Sequence, residues 1–161
     1  MMKQRTISHI LMAGGAVAGL GIILVFGVFV PVIANECRTM YPELAYLYWP
    51  GLIGMWLIGA MFLMGLWEYF RVCIRIGDDQ SFSVGNVSSL RRIALYMAVS
   101  GALWIGAAFG PGLVFHADVG PIWIYFFLFA MAGFALALLA WGLSLLLRRA
   151  VEIQEENDLT V

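Results

Sequence analysis

Four long apolar segments, separated by short polar ones, dominate the pattern of the chain. They cover approximately residues 10–33, 51–70, 93–115 and 122–147. Each matches or exceeds the ~20 residues that an α-helix needs to cross the hydrocarbon core of a bilayer. Charged residues avoid the middle of all four segments, and Glu68 lies near the end of the second. The pattern predicts an all-α integral membrane protein, in which residues 1–161 form one domain built as a four-helix transmembrane bundle.

The first apolar segment follows Lys3 and Arg5, and in this respect it is similar to a secretory signal peptide. A signal peptide has an apolar core of about 7 to 15 residues, and this segment is longer. The sequence therefore favours a first helix that stays in the membrane.

The positive charges lie on one side of the predicted helices. They fall before the first span, between the second and third, and after the fourth, at Lys3, Arg5, Arg71, Arg75, Arg91, Arg92, Arg148 and Arg149. Arg38 alone lies on the other side. Because cytoplasmic segments retain positive residues, we expect both termini in the cytoplasm and the protein in the inner (cytoplasmic) membrane.

The connection between the first two spans contains the signals of a short helix. Pro42 suits the first position of a helix, and Glu43 suits the positive end of its dipole. We expect a helix between Pro42 and Pro50 on the outer surface, where Tyr41, Pro42 and Glu43 form an interfacial cap. Its simplest role is to close the bundle, and the alternative is a lid or sensor surface for a small apolar or peptide ligand.

The connection between the second and third spans ends in a predicted cytoplasmic helix. Ser81 or Ser83 can cap this helix. One of its faces contains, at helical spacing, Phe82, Asn86, Leu90 and Ile93. We expect this face to pack on the bundle, with Asn86 bonded to a backbone group and with Arg91 and Arg92 at anionic lipid headgroups.

The charged tail extends the fourth predicted helix. Good helix formers run as far as Glu156, and Asn157 and Asp158 are typical of helix ends. The tail is either a solvated end or a docking element, for a cytoplasmic partner or for the arginines of the inner connection. The candidate partner-binding residues are Arg91, Arg92, Glu152, Glu155, Glu156, Asn157, Asp158, Leu159, Thr160 and Val161.

Glycines indicate how the helices approach one another. Gly15 and Gly19 form one pair at a spacing of four, and Gly106 and Gly110 form another. Such pairs let helix backbones come close together. We expect these faces to build either the bundle or a homo-oligomer.

Composition and side-chain chemistry exclude several classes of protein. The chain is 63% hydrophobic and 12% charged, and its net charge of −1 argues against direct binding of nucleic acid. Cys37 and Cys73 lie on opposite sides of the second span, and there is no CxxC pair. His9 and His116 have no second ligand at helical spacing. We expect no catalytic site, no cofactor and no metal.

Three groups of residues are distinctive. They are Tyr41-Pro42-Glu43, then Phe82 with Asn86, Leu90-Arg91 and Ile93, and the ending Glu155-Glu156-Asn157-Asp158-Leu159-Thr160-Val161. Together they resemble the prokaryotic membrane family catalogued as domain of unknown function 2975. The resemblance implies a four-helix membrane protein without assigned catalytic residues, in a family often encoded beside a small helix-turn-helix transcription regulator.

The resemblance thus implies a partner and not a reaction. We hypothesise a non-enzymatic protein of the lipid bilayer that holds or modulates a cytoplasmic helix-turn-helix regulator. The alternative is a small oligomeric transporter or channel subunit for an apolar compound, which would use Trp56, Trp104 and Trp141. Ion coupling is disfavoured, because no charge lies at mid-membrane.

Overall fold

The computed structural model describes residues 4–78, 82–115 and 122–159, and nearly all of them are helical. The elements, in chain order, are α1 (Gln4–Leu24), a π-helical turn (Val25–Phe29), α2 (Val30–Met40), a 3-10 helix (Pro42–Leu47), α3 (Tyr48–Gly77), α4 (Val84–Phe115) and α5 (Ile122–Leu159). The all-helical prediction is confirmed.

Four helical stretches are long and apolar enough to cross a membrane. They cover residues 5–40, 42–77, 84–114 and 122–156. Each predicted apolar segment falls on one of these helices, and every helix is longer than its apolar segment. Hydropathy marks only the part of a helix that suits hydrocarbon, whereas backbone hydrogen bonding continues the helix into polar sequence.

The helices pack as an open row in chain order. Helix α1 packs on α3, α3 packs on α4, and α4 makes the most extensive contact with α5. Among the described residues, no packing of comparable extent joins the first helix to the last. The row differs from the predicted bundle, in which each helix would have neighbours on two sides.

The core lies where α3, α4 and α5 meet. Ile58, Trp104 and Ala130 form its fully packed centre. The ring of Trp104 stacks on Phe129 at 5.0 Å between centroids and lies 5.4 Å from Phe126. Aromatic rings of α4 and α5 therefore hold these two helices together at mid-height.

Helices α4 and α5 cross at two glycines. A Cβ atom on Gly133 would lie 3.2 Å from the Cα atom of Gly101 and 3.3 Å from the carbonyl oxygen of Met97. The two backbones are thus in direct contact, which only the absence of a side chain allows. Neither glycine belongs to a GxxxG pair, so the spacing rule did not identify this crossing.

The two predicted glycine pairs behave differently. Cβ atoms on Gly15 and Gly19 would lie 2.8 Å from Tyr69 and Leu66 respectively, so this pair receives side chains of α3 within the chain. Among the residues that the structure describes, nothing lies within 4 Å of the corresponding positions at Gly106 and Gly110. The first pair builds the helix row, and the second faces open space.

A π-helical turn interrupts the first span just before Pro31. The N–H of Val30 bonds to the carbonyl of Val25, five residues back, and Pro31 has no N–H to donate. The carbonyl of Phe26 accepts a hydrogen bond at 3.1 Å from the indole Nε1 of Trp56 on α3. A side chain of the neighbouring helix therefore supplies a donor where the backbone ladder is interrupted.

The helices begin and end close to the positions predicted from the sequence. Ser83 is the cap of α4, because its Oγ atom accepts a hydrogen bond from the N–H of Asn86 at 3.3 Å. Helix α4 continues without a break into the span. Helix α5 ends at Leu159, three residues beyond the end predicted at Glu156. A 3-10 helix occupies the segment that begins at Pro42.

Candidate functional site

A buried carboxylate lies at the arginine-rich end of the helices, the end at which α3 finishes and α4 begins. Glu68 on α3 is 4% exposed. Its Oε1 atom accepts hydrogen bonds from Arg71 Nη1 at 3.2 Å and from Arg92 Nη1 at 3.1 Å. Arg71 lies one turn further along α3, and Arg92 belongs to α4. One carboxylate therefore joins two helices and balances two guanidinium groups.

A second guanidinium contact lies one to two turns further along α3. Arg75 Nη1 donates to the carbonyl of Gly85 at 2.8 Å, to Ser89 Oγ at 2.9 Å and to Asn86 Oδ1 at 3.3 Å. A Cβ atom on Gly85 would lie 3.1 Å from the Arg75 guanidinium, so glycine permits this approach. Arg75 thus fixes the first turns of α4 against the end of α3.

Two hydrogen bonds attach the first helix at the same level. Ser8 Oγ donates to the carbonyl of Cys73 at 2.7 Å, and Tyr69 OH donates to the carbonyl of Leu11 at 3.1 Å. Ser8 and Cys73 are both buried. The arginine-rich end is thus the place where polar side chains connect α1, α3 and α4, and we call these contacts the polar cluster.

The prediction for the inner connection is met in part. Asn86 is buried as expected, and its side-chain oxygen accepts a hydrogen bond from the Arg75 guanidinium at 3.3 Å. Phe82, expected to pack on the bundle, is exposed. It precedes the first turn of α4, so no neighbouring helix covers it.

The candidate partner-binding residues do not form one site. Arg92 belongs to the polar cluster, whereas Arg91 is exposed and lines two clefts between α4 and α5. Glu152 Oε1 accepts from Arg148 Nε at 3.0 Å, one turn earlier on the same helix. Glu155 and Glu156 are exposed on α5. Asn157, Asp158 and Leu159 form its last turn, and Thr160 and Val161 lie outside the described residues.

The two clefts differ in charge. The larger, about 720 Å³, has Ser88, Arg91 and Arg92 at one end and apolar side chains along the rest of its length. The smaller, about 400 Å³, combines Arg91 and Arg148 with Glu152 and Glu155. Within the described part of the chain, only the smaller cleft has acidic residues in its lining. Val151 is buried beside it, so the extension of α5 packs on the start of α4.

The predicted outer cap is exposed, and its three described residues do not form a cluster of side chains. Pro42 begins the 3-10 helix, with Glu43 in its first turn, and the N–H of Tyr41 bonds to the carbonyl of Cys37. All three cap residues are exposed. His116 and Asp118, in the connection that follows the third predicted span, lie outside the described residues.

Sequence reasoning missed Glu68, Arg75 and Ser89 as members of a cluster. The available signal was a carboxylate at the end of an apolar segment, together with Arg71 one turn away. The other partners of Glu68 are on another helix, and the rotation of that helix about its axis cannot be predicted from hydropathy. Among the residues that the structure describes, no group of three or more His, Cys, Asp or Glu side chains could hold a metal ion.

Four long apolar helices, three of which are joined by polar contacts at one end, define a multi-pass helical membrane protein. The chain belongs to the family described as protein of unknown function (DUF2975), whose family model matches residues 32–161. The resemblance drawn from the sequence is thereby confirmed. The chain is also similar to the uncharacterized membrane protein YoaS of Bacillus subtilis (strain 168), with 27% identity over 146 residues that cover 89% of this chain and 90% of YoaS. No solved structure matches the chain.

Proposed function

We propose that this protein is a non-enzymatic membrane component that holds or modulates a cytoplasmic helix-turn-helix transcription regulator through the extension of α5. The observation that carries the proposal is the length of this helix. Its 38 residues span about 57 Å, whereas the hydrocarbon core is about 30 Å thick. Residues 148–159 therefore extend roughly 18 Å beyond the apolar segment as one continuous helix.

The surface of this extension suits a basic partner. Glu152, Glu155 and Glu156 are exposed. Val151 is buried beside the start of α4, which anchors the helix, while Glu152 and Glu155 remain exposed at the smaller cleft. Carboxylates held on a fixed helix can compete with DNA phosphates for the basic face of a regulator. This is an electrostatic effect that weakens as salt concentration rises.

The first experiment is a crosslinked pull-down from native membranes. It compares the full-length protein with a chain that ends at Val151, and recovered proteins are identified by mass spectrometry. The expected result is a small DNA-binding protein that is recovered with the full chain and lost with the truncated one. Identical recovery from both chains, containing only copies of the protein itself, would overturn the proposal.

A charge variant tests whether partner binding requires the acidic side chains or only the helical extension. Replacing Glu152, Glu155 and Glu156 by Gln keeps helix-forming residues and removes three charges. The matched control replaces Glu36 and Glu43, exposed acids at the opposite end of the molecule, by Gln. We expect the first variant to lose the partner and the control to retain it. Equal recovery with both variants would assign the binding to another surface.

The alternative proposal is a subunit of a small oligomeric transporter or channel for an apolar compound. The observation that favours it is the glycine face at Gly106 and Gly110, which has nothing within 4 Å and leaves room for a second copy. Its test is the oligomeric state of the purified protein in detergent, compared with that of Gly106→Leu. A substrate-dependent efflux phenotype that Gly106→Leu abolishes would favour this alternative over the regulator.

A further inference from the structure

We propose that the larger cleft between α4 and α5 is a binding groove for one anionic phospholipid, with the phosphate at Arg91 and Arg92 and an acyl chain along the apolar part. This site goes beyond the proposed function and does not depend on it. On α5 the groove is lined from Phe134 to Trp141, whereas the carboxylates that are expected to bind a regulator begin at Glu152.

The polarity of the groove changes along its length in the way that a lipid requires. Ser88, Arg91 and Arg92 form one end. The rest of the lining is apolar and consists of Ala94, Leu95, Ala98, Phe134, Ala137, Leu138 and Trp141. The alanines make a narrow floor, while Leu95, Leu138 and Trp141 are exposed at its sides. A molecule that fills the groove must therefore carry an anionic group at one end and a long apolar group behind it.

The depth of the groove matches one leaflet of a bilayer. Ten helical residues separate Ser88 from Ala98, which corresponds to about 15 Å along the axis and to half of the ~30 Å hydrocarbon core. Beyond Ala98, the backbone contact between Gly101 and Gly133 closes the space between the helices. The groove thus starts at the arginine-rich end and stops near mid-membrane.

The charge at the mouth is suited to a phosphate. Within the described residues, Arg91 forms no ion pair. Arg92 uses Nη1 to donate to Glu68, but its side chain is 51% exposed and its guanidinium has further donors. Two neighbouring guanidinium groups and the Ser88 hydroxyl provide charge-assisted donors for phosphate oxygens. Basic pockets between membrane helices are a known way of binding anionic headgroups.

The test uses Trp141 as a reporter in the reconstituted full-length protein. Vesicles contain phosphatidylcholine with a minor fraction of phosphatidylglycerol, and bromine, which quenches tryptophan fluorescence, is placed on the acyl chains of one lipid at a time. The contribution of Trp141 is the difference between the native protein and Trp141→Phe. We expect brominated phosphatidylglycerol to quench Trp141 at a lower mole fraction than brominated phosphatidylcholine.

Two variants test the two ends of the groove. Arg91→Gln should raise the fraction of phosphatidylglycerol needed for half-maximal quenching about tenfold, the effect of losing one charge-assisted hydrogen bond. Ala98→Phe fills the apolar floor and should abolish the preference while leaving Arg91 in place. Arg149→Gln is the matched control, because Arg149 is an exposed arginine of the same end that does not line the groove. We expect it to behave as the native protein.

Equal quenching by the two brominated lipids would overturn the proposal. So would an equal loss in Arg91→Gln and Arg149→Gln, which would indicate general attraction to an anionic surface. Inorganic phosphate carries the same charge chemistry without acyl chains. If it displaces the brominated lipid, the site binds anions and the groove is not a lipid site.

Discussion

Glu68 on α3 and Arg92 on α4 form an ion pair of 3.1 Å in which one partner is buried and the other reaches the surface. The carboxylate has a side-chain exposure of 5%, and the guanidinium has one of 51%. The carboxylate is thus held inside the helix packing, and its charge is balanced from the rim of the molecule. Removing the carboxylate would leave two guanidinium groups without this buried acceptor. Removing an acid on the surface would not leave guanidinium groups in that situation.

We expect Glu68→Gln to lower the stability of the folded protein by about 1–2 kcal/mol, a value reduced for the solvent exposure of both arginines. The measurement is the fraction that stays monodisperse in detergent after heating. Glu152→Gln is the control, because the pair of Glu152 with Arg148 is exposed on both sides and should contribute little. Equal melting of the two variants would mean that the polar cluster does not stabilise the row.

The crossing of α4 and α5 should tolerate no side chain. Gly133→Leu places atoms where the backbone of Gly101 lies, and we expect a loss of about 1–3 kcal/mol from overpacking, or separation of the two helices. Gly142→Leu is the matched control on the same helix, since nothing lies within 4 Å of its Cβ position. Thermal stability in detergent compares the two, and an equally stable Gly133→Leu would contradict the observed backbone contact.

The contribution to stability of the hydrogen bond from Trp56 to the carbonyl of Phe26 should depend on Pro31. Trp56→Phe removes the donor and should cost about 1 kcal/mol. Pro31→Ala restores a backbone N–H just after the π-helical turn, so the same Trp56→Phe change should cost less in that background. A double-mutant cycle measures this coupling, and a coupling energy of zero would separate the proline from the indole contact.

The predicted orientation can be tested with cysteine labelling on intact cells. Cys37 is exposed and Cys73 is buried, so a membrane-impermeant maleimide should label Cys37 alone. Burial already protects Cys73, which therefore cannot report the other side. Asp78→Cys in a chain with Cys37→Ser supplies an exposed reporter at the end of α3. If the reagent labels this variant on intact cells and does not label Cys37 of the native chain, the orientation is opposite to the predicted one.

The positions of the four long apolar helices followed from hydropathy, but the contacts between these helices did not. Apolar segments located all four helices because a bilayer requires about 20 apolar residues in sequence. The GxxxG rule identified the packing of Gly15 and Gly19 and missed that of Gly101 and Gly133. Contacts between helices depend on how each helix is rotated and tilted, which a periodic pattern cannot specify when most faces are apolar. Glu68 was visible as an acid, but its pairing with Arg92 required the fold.

The open row also bears on how the protein assembles during synthesis. Among the described residues, the main contacts join each long apolar helical stretch to the next one in the chain, so every major interface joins segments that emerge from the ribosome consecutively. Such local contacts require little loop closure, and local contacts form rapidly. No interface has to wait for the last helix to return to the first. The chain can therefore be completed one helix at a time, and α5, which has a neighbour on one side only, is the last to join.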